Sequence, residues 1–546
     1  MSPAPVLEER SSTPPKIGGN VKNLSPIDDV DVCVIGSGAS GAVAAHELAR
    51  SGKRVLVLEE GNRLSPGESL ETVDRTSGNS FVLTPLNRLV PEGRPWSARA
   101  LGGGMSIYAG ISFRYRAVDF DPRNHVAADS LDPAWPIRYE DLRPYYDEVE
   151  RLFGVARRAG ADPMEPESGP APMPAHRPST PGRLLADAGR ALGMRPFPTP
   201  LAVNSVPYQG RPGCHRCGPC NEHVCPTGAR ADAGALLRDR PDVPADHLVV
   251  ATGSRAIRIH LDSGSRAGSV EWLDLASRTR RLTRATCFVL AANAVQSSAL
   301  LLRSSQRLAP RGIGNGSDMV GRGLSFKFSG YVSGSVPFRG GGPPPVTAGP
   351  HSTVSFSDHY LDVEAPTGLG GMLYEASPEV RGVRDGRIEL RLHFLGADQP
   401  MYENVVGLSP RTDAYGTPRI VMEYTTHRLD EMRRAYLARR AANVLHEAGA
   451  RDLVHEESNF RLGSRHLHGG CRAGTDPDES VVDPWGRVHD MDNVYVADGG
   501  FFPYAGGVNP TLTIQANALR IARRIARHLG TGPVSTTAPA RDRAAS

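Results

Sequence analysis

His466 and Asn509 are the residues whose types and setting point most directly to chemistry. His466 lies in Arg465-His466-Leu467-His468-Gly469-Gly470-Cys471, and Asn509 in Gly507-Val508-Asn509-Pro510-Thr511-Leu512-Thr513. Both are glycine-rich turns beside apolar segments that read as buried. Removing hydrogen from an alcohol needs an imidazole to take the hydroxyl proton and a polar neighbour to hold the oxygen. Each residue also has a plainer reading. Asn509 can be a helix N-cap, with Pro510 at the favoured first helical position. His466 can be a buried, hydrogen-bonded histidine. His468, two residues on, shares its side if the segment is extended, and Cys471 reads as packing.

A hydride acceptor has a place at the other end of the chain. Val30–Ile35 is a β-branched run that reads as a buried parallel strand. Gly36-Ser37-Gly38-Ala39-Ser40-Gly41 follows, then a helical pattern over Val43–Arg50 closed by Ser51-Gly52, then a second strand over Arg54–Leu58 ending at Glu59-Glu60. In such a βαβ unit the first glycine makes the tight turn, the second lets the backbone approach a pyrophosphate, and the third lets helix and strand pack. The pyrophosphate rests on the helix N-terminus. Glu59, directly ending the strand and placed ahead of Glu60, accepts from a ribose hydroxyl. These features do not separate FAD from NAD.

The chain has 546 residues, enough for two or three domains. Charged residues are 22% and hydrophobic ones 39%, as in a soluble globular protein. No apolar run spans a bilayer. Nearly all of the basic residues are arginine, and none cluster with interleaved aromatics, so nucleic-acid binding is not expected. Residues 1–27 lack an apolar leader and read as a disordered lead, and 531–546 as a disordered tail. A reducing cytoplasm is the expected compartment. There the bunched Cys214, Cys217, Cys220 and Cys225, four of seven cysteines, read as iron–sulfur or zinc ligands, with a thiol-lined or disulfide-stapled loop as the alternative.

Three further segments carry a family resemblance. Arg99-Ala100-Leu101-Gly102-Gly103-Gly104-Met105-Ser106 resembles the second signature of the glucose–methanol–choline (GMC) FAD-dependent oxidoreductases. Phe288–Ser297 resembles their central strand-turn-helix, with Asn293 where the family usually has glycine. His466 and Asn509 fall on its catalytic pair. Within the family, Ser112–Arg116, Arg195–Ala202, Asp358–Asp362, Pro366–Gly368 and His455–Ser458 resemble the aminoglycoside-biosynthetic paromamine 6'-oxidases. The resemblance implies an α/β (α+β overall) GMC fold: a Rossmann-type FAD domain over 28–116, 200–329 and 461–530, and an antiparallel-sheet substrate cap over 117–199 and 330–460. Strand signals for the cap are Arg387–Phe394 and Arg419–Tyr424, followed by a helix over Arg428–Ala448; Ala159–Pro181 reads as a long loop.

The resemblance also implies roles. FAD would lie on Gly36, Ser37, Gly38, Ala39, Ser40 and Gly41, with Glu59 and Ala256 near the adenosine, Gly103, Met105 and Ser106 beside the flavin, and Asp498 and Gly499 at the ribityl phosphate. Asn509, Pro510 and Thr511 would set a helix N-terminus toward the reduced flavin's negative charge. No histidine lies near Tyr108, so the flavin is expected to be non-covalent. Cys214, Cys220 and Cys225 would match relatives that hold an iron–sulfur cluster. The implied reaction oxidises the 6'-hydroxyl of a paromamine-like aminoglycoside to an aldehyde for a transaminase, with oxygen or another electron acceptor. For a polycationic substrate, Asp358, Glu375, Glu456 and Glu457 are candidate carboxylates at the pocket mouth. A neutral pyranose or polyol substrate, and an electron-transfer flavoprotein subunit, are the alternatives.

Overall fold

The computed structural model describes residues 28–69, 80–83, 89–91, 98–217, 220–238, 242–338, 350, 352–377, 382–457 and 466–530. The expected lead and tail lie outside the described residues.

The first sheet is built around β1 (Asp29–Ile35), buried along its whole length after Asp29. It pairs in parallel with β2 (Val55–Leu58) on one side and β9 (Thr279–Leu290) on the other. A strand covered on both edges and both faces must be apolar throughout, which is why its sequence runs β-branched rather than alternating. β6 (Leu248–Ala251) extends this sheet beyond β2, and β17 (Val494–Val496) joins β9. The long β9 uses its first half for an antiparallel meander with β7 (Ser254–Leu261) and β8 (Ala267–Asp274), making seven strands in all. Helix α1 (Ala39–Arg50) packs against the C-terminal helix Thr511–His528.

The second sheet has six strands in the order β16 (Arg451–Glu457), β10 (Phe328–Pro337), β13 (Arg387–Gly396), β12 (Met372–Glu375), β11 (Val354–Phe356) and β5 (Phe197–Pro198), all antiparallel. In β13, Ile388, Leu390 and Leu392 are buried and alternate with Arg387, Glu389, Arg391 and His393. The buried set joins Tyr436, Leu437, Ala441, Val444 and Leu445 of the helix Arg428–Glu447 in a core of its own. Each such aliphatic side chain contributes about 1.5–3 kcal/mol. The period-2 pattern leaves the other face polar.

A third sheet departs from expectation. β14 (Val405–Thr412) and β15 (Pro418–Glu423) form a hairpin, and β15 pairs in parallel with β3 (Ser80–Leu83), which pairs with β4 (Leu89–Pro91). The Arg419–Tyr424 strand signal therefore belongs to a sheet separate from the cap. That sheet joins segments expected in different domains. The alternation correctly gave a strand, but pairing between distant segments has no local sequence signal.

Asn293 explains its own departure. It sits at φ 80°, ψ 163°, a region nearly confined to glycine. Its side chain accepts from the Val295 and Gln296 amides at 3.0 and 3.1 Å, capping the helix Ala294–Arg303. The cap offsets the backbone strain. Asn293→Ala keeps the strain and loses the cap, so its thermal midpoint should fall by the equivalent of about 1–2 kcal/mol. Asn293→Gly should match or exceed the parent protein. The reverse order in thermal melts would rule out this account. Among the described residues, no helix is long and apolar enough to cross a membrane.

Candidate active site

A cleft of about 1610 Å³ of empty space, part of it open to solvent, runs from β2 to the start of the C-terminal helix. Gly36 to Ser40, Glu59, Gly103, Ala256, Asp498, Gly499, Pro510, Thr511 and His466 all line it. Chain ends far apart in sequence thus meet along one groove.

The glycines differ in what they do. Gly36 has φ +100°, and a Cβ there would lie 2.4 Å from the Ala291 carbonyl oxygen. A Cβ on Gly41 would lie 2.0 Å from the Gly36 oxygen. Gly38 caps α1 with an ordinary φ of −68°, and its nearest obstacle would be the Gly103 Cα at 4.0 Å. Gly38 is therefore bare toward the cleft, a cradle that a side chain would fill. An extended dinucleotide fits such a surface, with its pyrophosphate on the α1 N-terminus.

Glu59 is buried. Its Oε2 accepts from the Ser37 amide at 3.0 Å and hydroxyl at 2.6 Å, and its Oε1 from the Gly61 amide at 2.8 Å. Burial nevertheless pushes its carboxyl up to about 7, despite those bonds. This has a consequence for cofactor binding. Ribose hydroxyls favour the carboxylate, so binding below pH 7 must displace a proton. Affinity of the apoprotein for FAD should tighten as pH rises through about 7, by at most tenfold per unit below it, and level off above. Flavin-fluorescence titrations at pH 6, 7 and 8 check this; a flat profile in the parent protein would remove Glu59 from the ribose contact. Linkage gives the opposite sign for folding: the raised carboxyl stabilises below the unfolded value and that stability is lost as pH rises through 7.

Asp498 is equally buried, its carboxyl pushed up to about 6 by burial. It accepts from Ser297 Oγ at 2.6 Å and the Gly500 amide at 2.8 Å, bracing the helix Ala294–Arg303 against the turn after β17. Met105 and Ser106 stand behind the lining. Gln515 Nε2 donates to Met105 Sδ at 3.2 Å, and Ser106 Oγ donates to the Gly103 carbonyl at 2.8 Å. Sequence reading missed the charged end of the cleft, where Arg255 pairs with Glu60 at 2.6 Å and Asp413 at 2.7 Å, and Arg99 with Glu60 at 2.7 Å. Arg99 opens the second signature, which was the available clue.

Asn509 Nδ2 lies 3.3 Å from His466 Nε2. The cap reading of Asn509 is corrected: the helix starts at Thr511, its cap is Pro510, and no side chain caps it. The strap before Asn509 is clamped. Tyr115 donates to the Ala505 carbonyl, Lys327 Nζ to those of Gly506 (3.0 Å) and Val508, and the Gly507 amide to Tyr360 at 2.8 Å. Lys327 is fully buried, and burial pushes its ammonium down to about 7. A lysine inside the apolar run Leu324–Phe328, in a chain whose cations are nearly all arginine, was a legible signal. His468 is turned into the core against Phe502, with ring centroids 5.4 Å apart, and burial holds its imidazole well below the ordinary range. Cys471 is buried packing beside Ser298.

The expected metal ligands do not come together. Among the described residues no three His, Cys, Asp or Glu side chains form a group able to hold a metal ion, and none of the four clustered cysteines is in a disulfide. Cys214 Sγ accepts from the Arg216 amide at 3.4 Å, and Cys225 Sγ lies 3.5 Å from Thr227 Oγ1. Burial pushes the Cys220 thiol up to about 12. The loop instead backs the Gly103–Ser106 turn through Arg230, which donates to the carbonyls of Cys220, Ser106 (2.6 Å) and His223 (2.7 Å).

Three of the four candidate substrate carboxylates have partners within the protein. Glu375 is buried inside the cap, accepting from Thr353 and from Ser179, the cap of the helix Thr180–Ala191. Asp358 holds Arg195, and Glu456 is paired with Arg391. The Glu457 side chain lies outside the described residues.

The GMC oxidoreductase pattern matches residues 33–327 and 400–518. This chain belongs to the GMC oxidoreductase family. Its members are FAD-binding flavoproteins. The chain is 47% identical to paromamine 6'-oxidase of Streptomyces fradiae over 91% of its length and 92% of the relative's. It is 46% identical to 6'''-hydroxyparomomycin C oxidase of Streptomyces lividus, with the same coverage. The structure of pyridoxine 4-oxidase from Mesorbium loti is similar in fold, with a TM-score of 0.62 at 20% identity over 91% of this chain and 99% of that one.

Proposed function

We propose that this GMC oxidoreductase oxidises the 6'-hydroxyl of a paromamine-like aminoglycoside to the aldehyde in antibiotic biosynthesis. The observation that carries this is the full-length similarity to paromamine 6'-oxidase together with an assembled His466–Asn509 pair. Gly36, Ser37, Gly38, Ala39, Ser40 and Gly41 would hold the FAD pyrophosphate, and Glu59 and Ala256 the adenosine. Gly103, Met105, Ser106, Asp498, Gly499, Asn509, Pro510 and Thr511 would border the rest. Non-covalent FAD, when bound, supplies the hydride acceptor. His466 Nε2 would exchange its contact with the Asn509 Nδ2 amide, 3.3 Å away, for the substrate hydroxyl and take its proton, freeing the amide N–H to donate to the substrate oxygen. Asn509 holds the oxygen as the bond order to carbon rises. The C-terminal helix starting at Thr511 places its N-terminus on the cleft, where its dipole favours negative charge by about 0.3–1 kcal/mol.

Oxygen is the proposed electron acceptor, by analogy with relatives named as oxidases, and the aldehyde would pass to a transaminase. The test is an anaerobic titration of the purified flavoprotein with paromamine, and with glucose as control. Bleaching of the visible flavin absorbance by paromamine alone is expected, with peroxide formed on admitting air. Bleaching by glucose, or by neither, would overturn the aminoglycoside reading.

A further inference from the structure

His466 and Asn509 stand on two turns separated in sequence, and one short segment ahead of β10 touches both turns. Ser325 is joined to His468, two residues beyond His466, by a reciprocal pair of backbone hydrogen bonds, each 3.0 Å. Lys327, two residues after Ser325, reaches the other turn: its Nζ donates to the carbonyls of Gly506 (3.0 Å) and Val508. The Val508 carbonyl belongs to the same peptide unit as the Asn509 nitrogen. That unit is planar, so holding its oxygen fixes the plane from which the Asn509 side chain springs.

The segment is itself firmly held. The Phe326 amide donates to Asp398 Oδ2 at 2.8 Å, and Ser325 Oγ donates to the other carboxylate oxygen. Lys327 has φ +62°, a left-handed conformation that is uncommon outside glycine and lasts only where the surroundings over-determine it. Its side chain is fully buried, and burying an amine is costly unless its N–H groups find acceptors. The Tyr115 hydroxyl oxygen, 3.4 Å from Nζ, adds a third acceptor to the two carbonyls. An apolar side chain of the same length would avoid that cost, so packing alone does not call for lysine here. The strap is pressed close against this clamp: a Cβ on Gly506 would lie 2.6 Å from the Tyr115 ring, and one on Gly507 2.6 Å from the Tyr360 hydroxyl.

Resting on the reading of His466 and Asn509 given above, we propose that Lys327 is a positioning residue: it sets Asn509 against His466 by tying the Val508–Asn509 peptide to the segment that already holds the His466 turn. In that reading the contact between His466 and Asn509 gives way to the substrate hydroxyl, so the alignment of the two has to come from elsewhere in the protein. Displacing a reacting group by about 1 Å costs on the order of 100-fold in rate.

The test compares the intact flavoprotein with Lys327→Met, which keeps the length of the side chain and removes its N–H donors. In crystals of the variant the His466 Nε2–Asn509 Nδ2 separation should open from 3.3 Å to more than about 3.5 Å, past hydrogen-bond reach. That separation decides the positioning whether or not paromamine is the substrate. Anaerobic flavin reduction by saturating paromamine should slow at least about tenfold, with half-saturation within about threefold of the parent. In an Asn509→Ala background Lys327→Met should add nothing, because its effect passes through Asn509, whereas a lysine serving only stability would act in both backgrounds. Tyr115→Phe carries the same test where Lys327→Met does not fold: it keeps the ring, loses the hydroxyl that bonds the Ala505 carbonyl and Lys327, and should slow reduction in the same Asn509-dependent way. An unchanged separation, a rate within about twofold of the parent, or a full effect persisting without Asn509 would overturn the proposal. His466→Ala separates the two layers: parent-like reduction in that variant sinks the catalytic reading itself, whereas its loss beside a parent-like Lys327→Met sinks only this inference.

Discussion

His466→Ala reduces the rate of flavin reduction by alcohol about 10²–10⁴-fold while the protein stays folded and yellow. The size follows from what is removed. His466, whose Nε2 lies 3.3 Å from Asn509 Nδ2, is the base at the cleft wall. His468 cannot take over the role. It is buried, its Nδ1 lies 3.1 Å from the His466 carbonyl, and its protonation is opposed by burial and by Lys327. The backbone survives the substitution, since the Ser325–His468 bridge and the Gly469 amide's bond to the Gly499 carbonyl do not involve the His466 side chain. Stopped-flow reduction under anaerobic conditions reads the step directly, free of product release. A rate within threefold of the parent would return His466 to a structural histidine. It would also favour an electron-transfer flavoprotein without substrate turnover of its own.

Legibility in the sequence divides by the range of the cause. The strand, glycine turn, helix and second strand at residues 29–58 were readable because each step is local: β-branched run, missing Cβ, helical spacing. His466 and Asn509 were readable as types in glycine-rich turns. Their approach to 3.3 Å was not, since it depends on the clamp from Tyr115, Lys327 and Tyr360, contributed by three separate segments. The setting of the carboxylates was hidden for a related reason. Charge in the sequence says nothing about whether a partner has already claimed it, and Glu375 and Glu456 are both engaged within the cap. The cysteines failed because close spacing in sequence does not aim the thiols at one point.

The three fingerprint glycines give the sharpest test of the cofactor site, because they should fail differently. Gly41→Ala places a Cβ 2.0 Å from a backbone oxygen that is fixed in the tight turn. No side-chain rotation relieves that clash, so the helix must move off the sheet, at a cost of about 3 kcal/mol or more and with loss of soluble protein. Gly36→Ala adds left-handed backbone strain to a contact of 2.4 Å with Ala291 and should behave alike. Gly38→Val is different. Its φ suits any residue, and nothing nearer than 4.0 Å meets its Cβ. The apoprotein should therefore fold with a parent-like thermal midpoint. Its branched side chain, however, stands where the backbone has to meet the pyrophosphate. FAD affinity should fall at least about 100-fold, equivalent to about 2.7 kcal/mol. Purification would give a colourless, folded protein. If Gly38→Val stays yellow with unchanged affinity, the cleft beside Gly38 and Gly103 is not where the dinucleotide lies. If Gly41→Ala folds normally, the close approach of helix to turn is not what the third glycine provides.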